Sequence, residues 1–291
     1  MTRSANRSDP RPAGPVRELS APKLLLLHGV CYLLVLCYVN MFDFWAWLSR
    51  MLGPGQAVRL LPVAVTALLL LIIVQRFVDR VRRGYSIDLV FLGLGLVFAI
   101  FSLALPDPAV PIKRIHVAEY ILLSFLVRAT LSHRLQGGQL TLFTVLVTLL
   151  WGIHDEMLQG LHANRYYGWL DMIVNGTAGL SGALLGHGLR CCLREQVRPP
   201  KTQGLVGLIT LFILLGASSA WLVTMLYQQR GTPFSLTLFL PQLAVGLLLV
   251  FLRPDIVFRS RVQHGFQVVF WLACGLLLYP LVSLFAGVKF V

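Results

Sequence analysis

Residues 140–186 read LTLFTVLVTLLWGIHDEMLQGLHANRYYGWLDMIVNGTAGLSGALLG. Two long, mostly apolar runs flank a short polar break, and each run has the length a helix needs to cross a bilayer. At about 1.5 Å of rise per residue, about 20 residues span a hydrocarbon core of about 30 Å. A break this short makes the two helices antiparallel neighbours. Acids sit inside both runs, which is costly at membrane depth and draws attention to their chemistry.

Working outward, the rest of the chain has the same character. The 291 residues are 57% hydrophobic and 13% charged, with a mean hydropathy of +0.75, whereas soluble domains are about one quarter charged. The sequence therefore predicts an all-α, polytopic transmembrane helical bundle. About nine stretches qualify as spans: 24–42, 60–77, 86–105, 115–131, 140–161, 169–189, 205–227, 235–252 and 265–286. Residues 1–22, polar and rich in Arg and Pro, read as a disordered basic tail. The first apolar run is too long for a signal peptide and lacks a small-residue cleavage pattern, so it is expected to stay as an uncleaved span. The organisation expected is two N-terminal spans over 23–85, a block over 86–190, a connector over 191–204 and three spans over 205–291.

The net charge of +13 is explained by position. Lys and Arg are scattered through short gaps between apolar runs instead of forming one cationic face, which argues against nucleic acid as a partner. With the N-terminus inside, eighteen of the 25 Lys and Arg fall in inner segments. Positive loops stay in the cytoplasm, so this asymmetry predicts a cytoplasmic N-terminus and an outer C-terminus. Cys31, Cys37 and Cys274 lie in apolar runs and Cys191 and Cys192 are adjacent. An odd number placed this way does not read as a disulfide framework or a zinc site.

The polar residues inside the spans concentrate in three places. In IKRIHVAEY, residues 112–120, His116, Glu119 and Tyr120 share one helix face. In WGIHDEMLQGLHANR, residues 151–165, Asp155 and Glu156 precede Gln159 by about one turn, and Arg165 follows in the break. In WLDMIVNGTAGLSGALLG, residues 169–186, Asp171 and Asn175 are one turn apart. Gly179, Gly182 and Gly186 continue roughly that stripe and allow another helix to approach closely. Under the nine-span reading all three groups fall at the outer side of the bilayer. His154 and His162 lie beside them, but the HDE triplet with His162 eight residues on is not a ligand spacing, so no metal or other cofactor is expected. Glycines at Gly93–Gly95 read as span packing, and His28 and His187 as packing or interfacial residues.

The string His116-x-x-Glu119-Tyr120, then Asp155-Glu156-x-x-Gln159, Arg165, Asp171, Asn175 and a run of glycines, resembles the VanZ-like family of membrane proteins over roughly residues 86–190. Two positions differ from the family pattern: Ile112 stands where an acid usually precedes the Lys, and Gly168 where an acid often follows the Arg. The resemblance implies a multi-pass protein of the bacterial cytoplasmic membrane. It further implies a role of the glycopeptide-resistance or envelope-homeostasis kind, with no defined reaction.

Several readings of these residues stay open at this level. Glu119, Glu156 and His116 are the candidates for acid–base work, and adjacent carboxylates at Asp155 and Glu156 suit such a role or a cation site. Tyr120, Asp155, Gln159, Arg165, Asp171 and Asn175 are the binding candidates, the partner being a membrane lipid or lipid-linked envelope component. An interfacial helix start, helix-packing hydrogen bonds and an ordinary interfacial Arg are the structural alternatives. An intramembrane enzyme of acyl or phosphoester chemistry and a transporter are the alternative functions. The enzyme reading lacks a nucleophile, since Ser181 alone lies within the motif set, deep in its span.

Overall fold

The computed structural model describes residues 19–107, 110–162, 165, 167–192, 205–232, 234–259, 263–287 and 290. Most of the expected tail, and residues 193–204 of the connector, lie outside them. The described residues form helices, turns and coil, with no strand among them. Five helical stretches are long and apolar enough to cross a bilayer: Ala21–Val39, Leu60–Arg82, Gly137–Gly160, Val206–Gln228 and His264–Ala286, with Leu89–Ala104 and Thr237–Leu252 shorter but apolar. The outer face is apolar, with Leu26 68% and Phe251 79% exposed, whereas Glu119, Asp155, Glu156, Arg128 and Asn175 are buried. A soluble protein shows the opposite arrangement.

Local chemistry sets the helix ends. Helix α1 (Ala21–Val39) has Pro in its first turn and stops at Asn40, whose Nδ2 donates to the Leu36 carbonyl. The sequence reading carried this span to Phe42. Instead Asn40 ends it, and a separate amphipathic helix α2 (Met41–Leu52) follows, in which no side chain is fully buried. Gly53, at φ +83°, turns the chain into α3 (Pro54–Arg82). Asp88 caps α4 (Leu89–Ala104) by accepting from the Val90 and Phe91 N–H groups.

Helices α5 (Ile115–Leu131), α6 (Gly137–Gly160) and α7 (Trp169–Gly188) follow, with bounds within three residues of those read from the sequence. Helix α7 packs most extensively on α4 and α5, then on α6, and glycines set how closely. A Cβ at Gly179 would lie 2.7 Å from Thr148 Cγ2, one at Gly182 2.7 Å from Ser124 Cβ, and one at Gly186 2.7 Å from Arg128 Cδ. Ser181 donates to the Gly95 carbonyl at 2.7 Å, which ties α7 to α4. Arg128, fully buried in the last turn of α5, donates to the Cys191 carbonyl and to Thr141, and Thr141 also bonds His187.

The C-terminal part consists of α8 (Leu205–Gln228), α9 (Leu240–Leu252), α10 (Pro254–Arg259), α11 (His264–Gly275) and α12 (Leu278–Ala286). The last predicted stretch, 265–286, is thus a broken helix. Pro280 has no N–H to give the Leu276 carbonyl, and Gly275 ends the first half. Freed carbonyls inside a membrane need donors. At the break the Leu276 N–H turns to Ala273 O at 3.1 Å, which frees Leu272 O to accept from His154 Nε2 at 2.9 Å. Gln242 Nε2 adds a second donor to Ala273 O, and His154 Nδ1 accepts from the Tyr279 hydroxyl at 2.6 Å. His154 therefore serves the break and lies apart from the acids beside it in sequence.

Candidate functional site

Helices α5, α6 and α7 bring the predicted polar residues together at one end of the bundle. On α5, His116 Nδ1 meets Glu119 Oε2 at 2.9 Å, with both side chains about 3% exposed. One turn further the Tyr120 hydroxyl crosses to α6 and donates to Asp155 Oδ2 at 2.8 Å. Gly152 makes this crossing possible, since a Cβ there would sit 3.3 Å from the Tyr120 ring and 3.0 Å from Asn175 Cβ.

Glu156 is the point where donors from three places converge. Its carboxylate accepts from Gln159 Nε2 at 3.3 Å, Asn175 Nδ2 at 3.4 Å and the Gly168 backbone N–H at 3.2 Å. Gly168 is the residue that starts α7, so the positive end of that helix also faces the acid. Arg165 donates to Gln159 Oε1, and Asp155, Glu156, Asp171 and Asp43 all lie within its electrostatic reach. Burial pushes the Arg165 guanidinium down from its usual value, and those four carboxylates oppose the shift.

Asp171 does not join the Glu156 carboxylate directly. It pairs with Lys113 Nζ at 2.7 Å, in a partly exposed bridge from α7 to the turn before α5. Nothing in the sequence marks Lys113 as a site residue beyond its place three residues before His116 in the same motif. Tyr38 of α1, donating to the Glu119 carbonyl at 2.8 Å, had no sequence signal. Phe42 had none either: its ring lies 6.1 Å from that of His116 and 3.9 Å from the Arg165 guanidinium carbon. Asp43 lies 3.6 Å from His162 Nε2. Helix α2 thus covers the cluster from the stretch that follows the end of α1, where the sequence suggests no helix between the spans 24–42 and 60–77.

The inventory of charge tells what such a centre can hold. Five carboxylates, of Asp43, Glu119, Asp155, Glu156 and Asp171, face Lys113, Arg165 and His116. Buried Glu119 Oε1 and Asn175 Oδ1 accept no hydrogen bond, and Arg165 Nη1 donates none, among the described residues. Buried polar atoms of this kind are normally partnered, so the arrangement suits a group rich in N–H or O–H donors with an acidic function near Arg165. No set of three or more His, Cys, Asp or Glu among the described residues is arranged to hold a metal ion. A Cβ at Gly179, Gly182 or Gly186 would meet Thr148, Ser124 and Ile121, or Arg128 and Phe125, and none of the site residues, so these glycines act through helix spacing. No family model, curated protein or solved structure matches the chain, so the functional reading rests on these residues.

Proposed function

We propose that the chain is a VanZ-like protein of the bacterial cytoplasmic membrane, crossing it nine times from a cytoplasmic N-terminus. On this reading the cluster on α5, α6 and α7 binds or processes an envelope lipid or lipid-linked cell-wall component from the outer side. The observation that carries the proposal is the gathering of Glu119, Asp155, Glu156, Asn175 and Arg165 into one buried centre with polar atoms left unengaged. Scaffolding needs fewer charges, because buried ion pairs are weak sources of stability. The head group that fits carries hydroxyl or ammonium donors for Glu119 and Asn175 and an acidic oxygen for Arg165. The lysine and arginine asymmetry supports the orientation.

The buried His116–Glu119 pair favours a second reading, hydrolytic chemistry in which the carboxylate orients the imidazole to move a proton to or from water. Isosteric replacements test the main reading. In cells whose envelope phenotype depends on the gene, such as altered glycopeptide susceptibility, Glu119→Gln, Glu156→Gln and Asp171→Asn are expected to accumulate normally in the membrane and to lose the phenotype. If all three complement a deletion as wild type does, the cluster is not the site.

A further inference from the structure

A second feature lies on the opposite face of α7 from the polar centre. An apolar groove of about 590 Å³ runs between α6 and α7 on one side and α8 and α11 on the other. Its walls include Leu150, Ile153, Ile173, Gly176, Gly216 and Val269. The hydroxyls along it are turned away: Thr177 bonds the Ile173 and Val174 carbonyls and Ser219 the Leu215 carbonyl. The volume falls within the range of about 300–1,000 Å³ typical of small-molecule sites, yet its two hydroxyls, of Thr177 and Ser219, are spent on helix carbonyls and leave little to orient a water-soluble ligand.

The two ends differ. At one end Phe143, Phe212 and Phe266 close the groove, with ring centroids 4.9 and 4.7 Å apart. At the other stands Trp169, which meets Tyr227 at 6.1 Å; the Arg230 guanidinium lies over the Tyr227 ring at 4.1 Å. Trp and Tyr mark the level of lipid head groups. Arg230 donates to the Tyr227 and Tyr167 carbonyls and to no carboxylate among the described residues, which leaves a cation with spare donors at that level. Along α8 the groove runs from Phe212 to Val223. Those eleven steps at about 1.5 Å each make about 16 Å, roughly half of a hydrocarbon core of about 30 Å. The depth is that of one leaflet.

We propose that this groove is a lipid site, holding one acyl chain of a phospholipid against α7 with its phosphate beside Arg230. A dry apolar slot opening toward hydrocarbon selects a chain, and a guanidinium with free N–H groups selects a phosphate oxygen. The site is separate from the polar centre and stands whether or not that centre processes a substrate.

Gly216 provides the test, because a Cβ there has no atom within 4 Å and a larger side chain would occupy the groove. The full-length chain is purified in detergent, exposed to phosphatidylglycerol and examined by native mass spectrometry. Wild type and Gly216→Ala are expected to retain one tightly held phosphatidylglycerol, Gly216→Phe to retain it more than tenfold less, and Arg230→Gln several-fold less. Wild-type retention by Gly216→Phe overturns the chain site, and undiminished retention by Arg230→Gln overturns the phosphate contact. Should Gly216→Phe fail to fold, a variant keeping Trp169 as its only tryptophan decides. Phosphatidylglycerol brominated on its chain must quench Trp169 saturably at low lipid fraction, and quenching that rises only in proportion to bulk lipid overturns the proposal.

Discussion

Adding one methyl group at Gly182 should destabilise the bundle, against the usual sign for such a change in a helix. A Cβ at Gly182 would lie 2.7 Å from Ser124 Cβ, 2.8 Å from the Ile121 carbonyl oxygen and 3.0 Å from Ile121 Cα. Two of these are backbone atoms of α5 and cannot rotate away. Reaching ordinary contact requires α7 to retreat by about 0.7 Å. Overpacking of this kind costs about 1–3 kcal/mol, against a helix-propensity gain for Ala of about 1 kcal/mol. With rigid backbone in the way the upper part of the range applies, leaving Gly182→Ala about 1–2 kcal/mol less stable. Gly93→Ala is the matched control, since no atom lies within 4 Å of its Cβ position, and it should gain up to about 1 kcal/mol. The assay is thermal or denaturant unfolding of the purified chain in one detergent. The same displacement would stretch the Asn175–Glu156 contact, already 3.4 Å, beyond hydrogen-bonding range. Gly182→Ala should therefore lose the envelope phenotype even when its membrane level is restored. If Gly182→Ala is as stable as Gly93→Ala, the close α5–α7 crossing is wrong.

Other outcomes follow from the same geometry. In a variant lacking the five native cysteines, a single Cys at Arg165 should label from outside and one at Arg80 from the cytoplasm; labelling from the same side would end the nine-span reading. Arg165→Lys should weaken the phenotype at normal protein level, because an ammonium cannot both cover the Phe42 ring and hold Gln159 as the guanidinium does; full complementation would remove Arg165 from the site. His154→Ala should cost about 1–3 kcal/mol by leaving the Leu272 carbonyl and Tyr279 hydroxyl without partners. It should nevertheless keep the phenotype, and loss of phenotype at restored protein level would place His154 in the chemistry.

The sequence alone determined that the chain is helical and built for a bilayer, because hydrocarbon demands long apolar runs with internally satisfied backbones and composition records that demand directly. It also determined which acids are unusual, since Glu119, Asp155, Glu156 and Asp171 stand out against apolar neighbours. Spacing along one helix brought His116 to Glu119, because residues three apart share a face. What spacing cannot express is which faces of different helices meet. The same local spacing puts Gln159 against Glu156, but tertiary packing decided that Tyr120 reaches Asp155 and that Asn175 and Gly168 join Glu156. It also gave Asp171 to Lys113 and sent His154 to a helix break more than a hundred residues away. The covering helix α2 was equally invisible: its Phe42 belongs to the site only because α1 ends at Asn40 and turns the chain across the cluster. Residues adjacent in sequence diverge by about 100° around a helix, so the acids announced a polar centre, and only the packing of α5, α6 and α7 decided its membership.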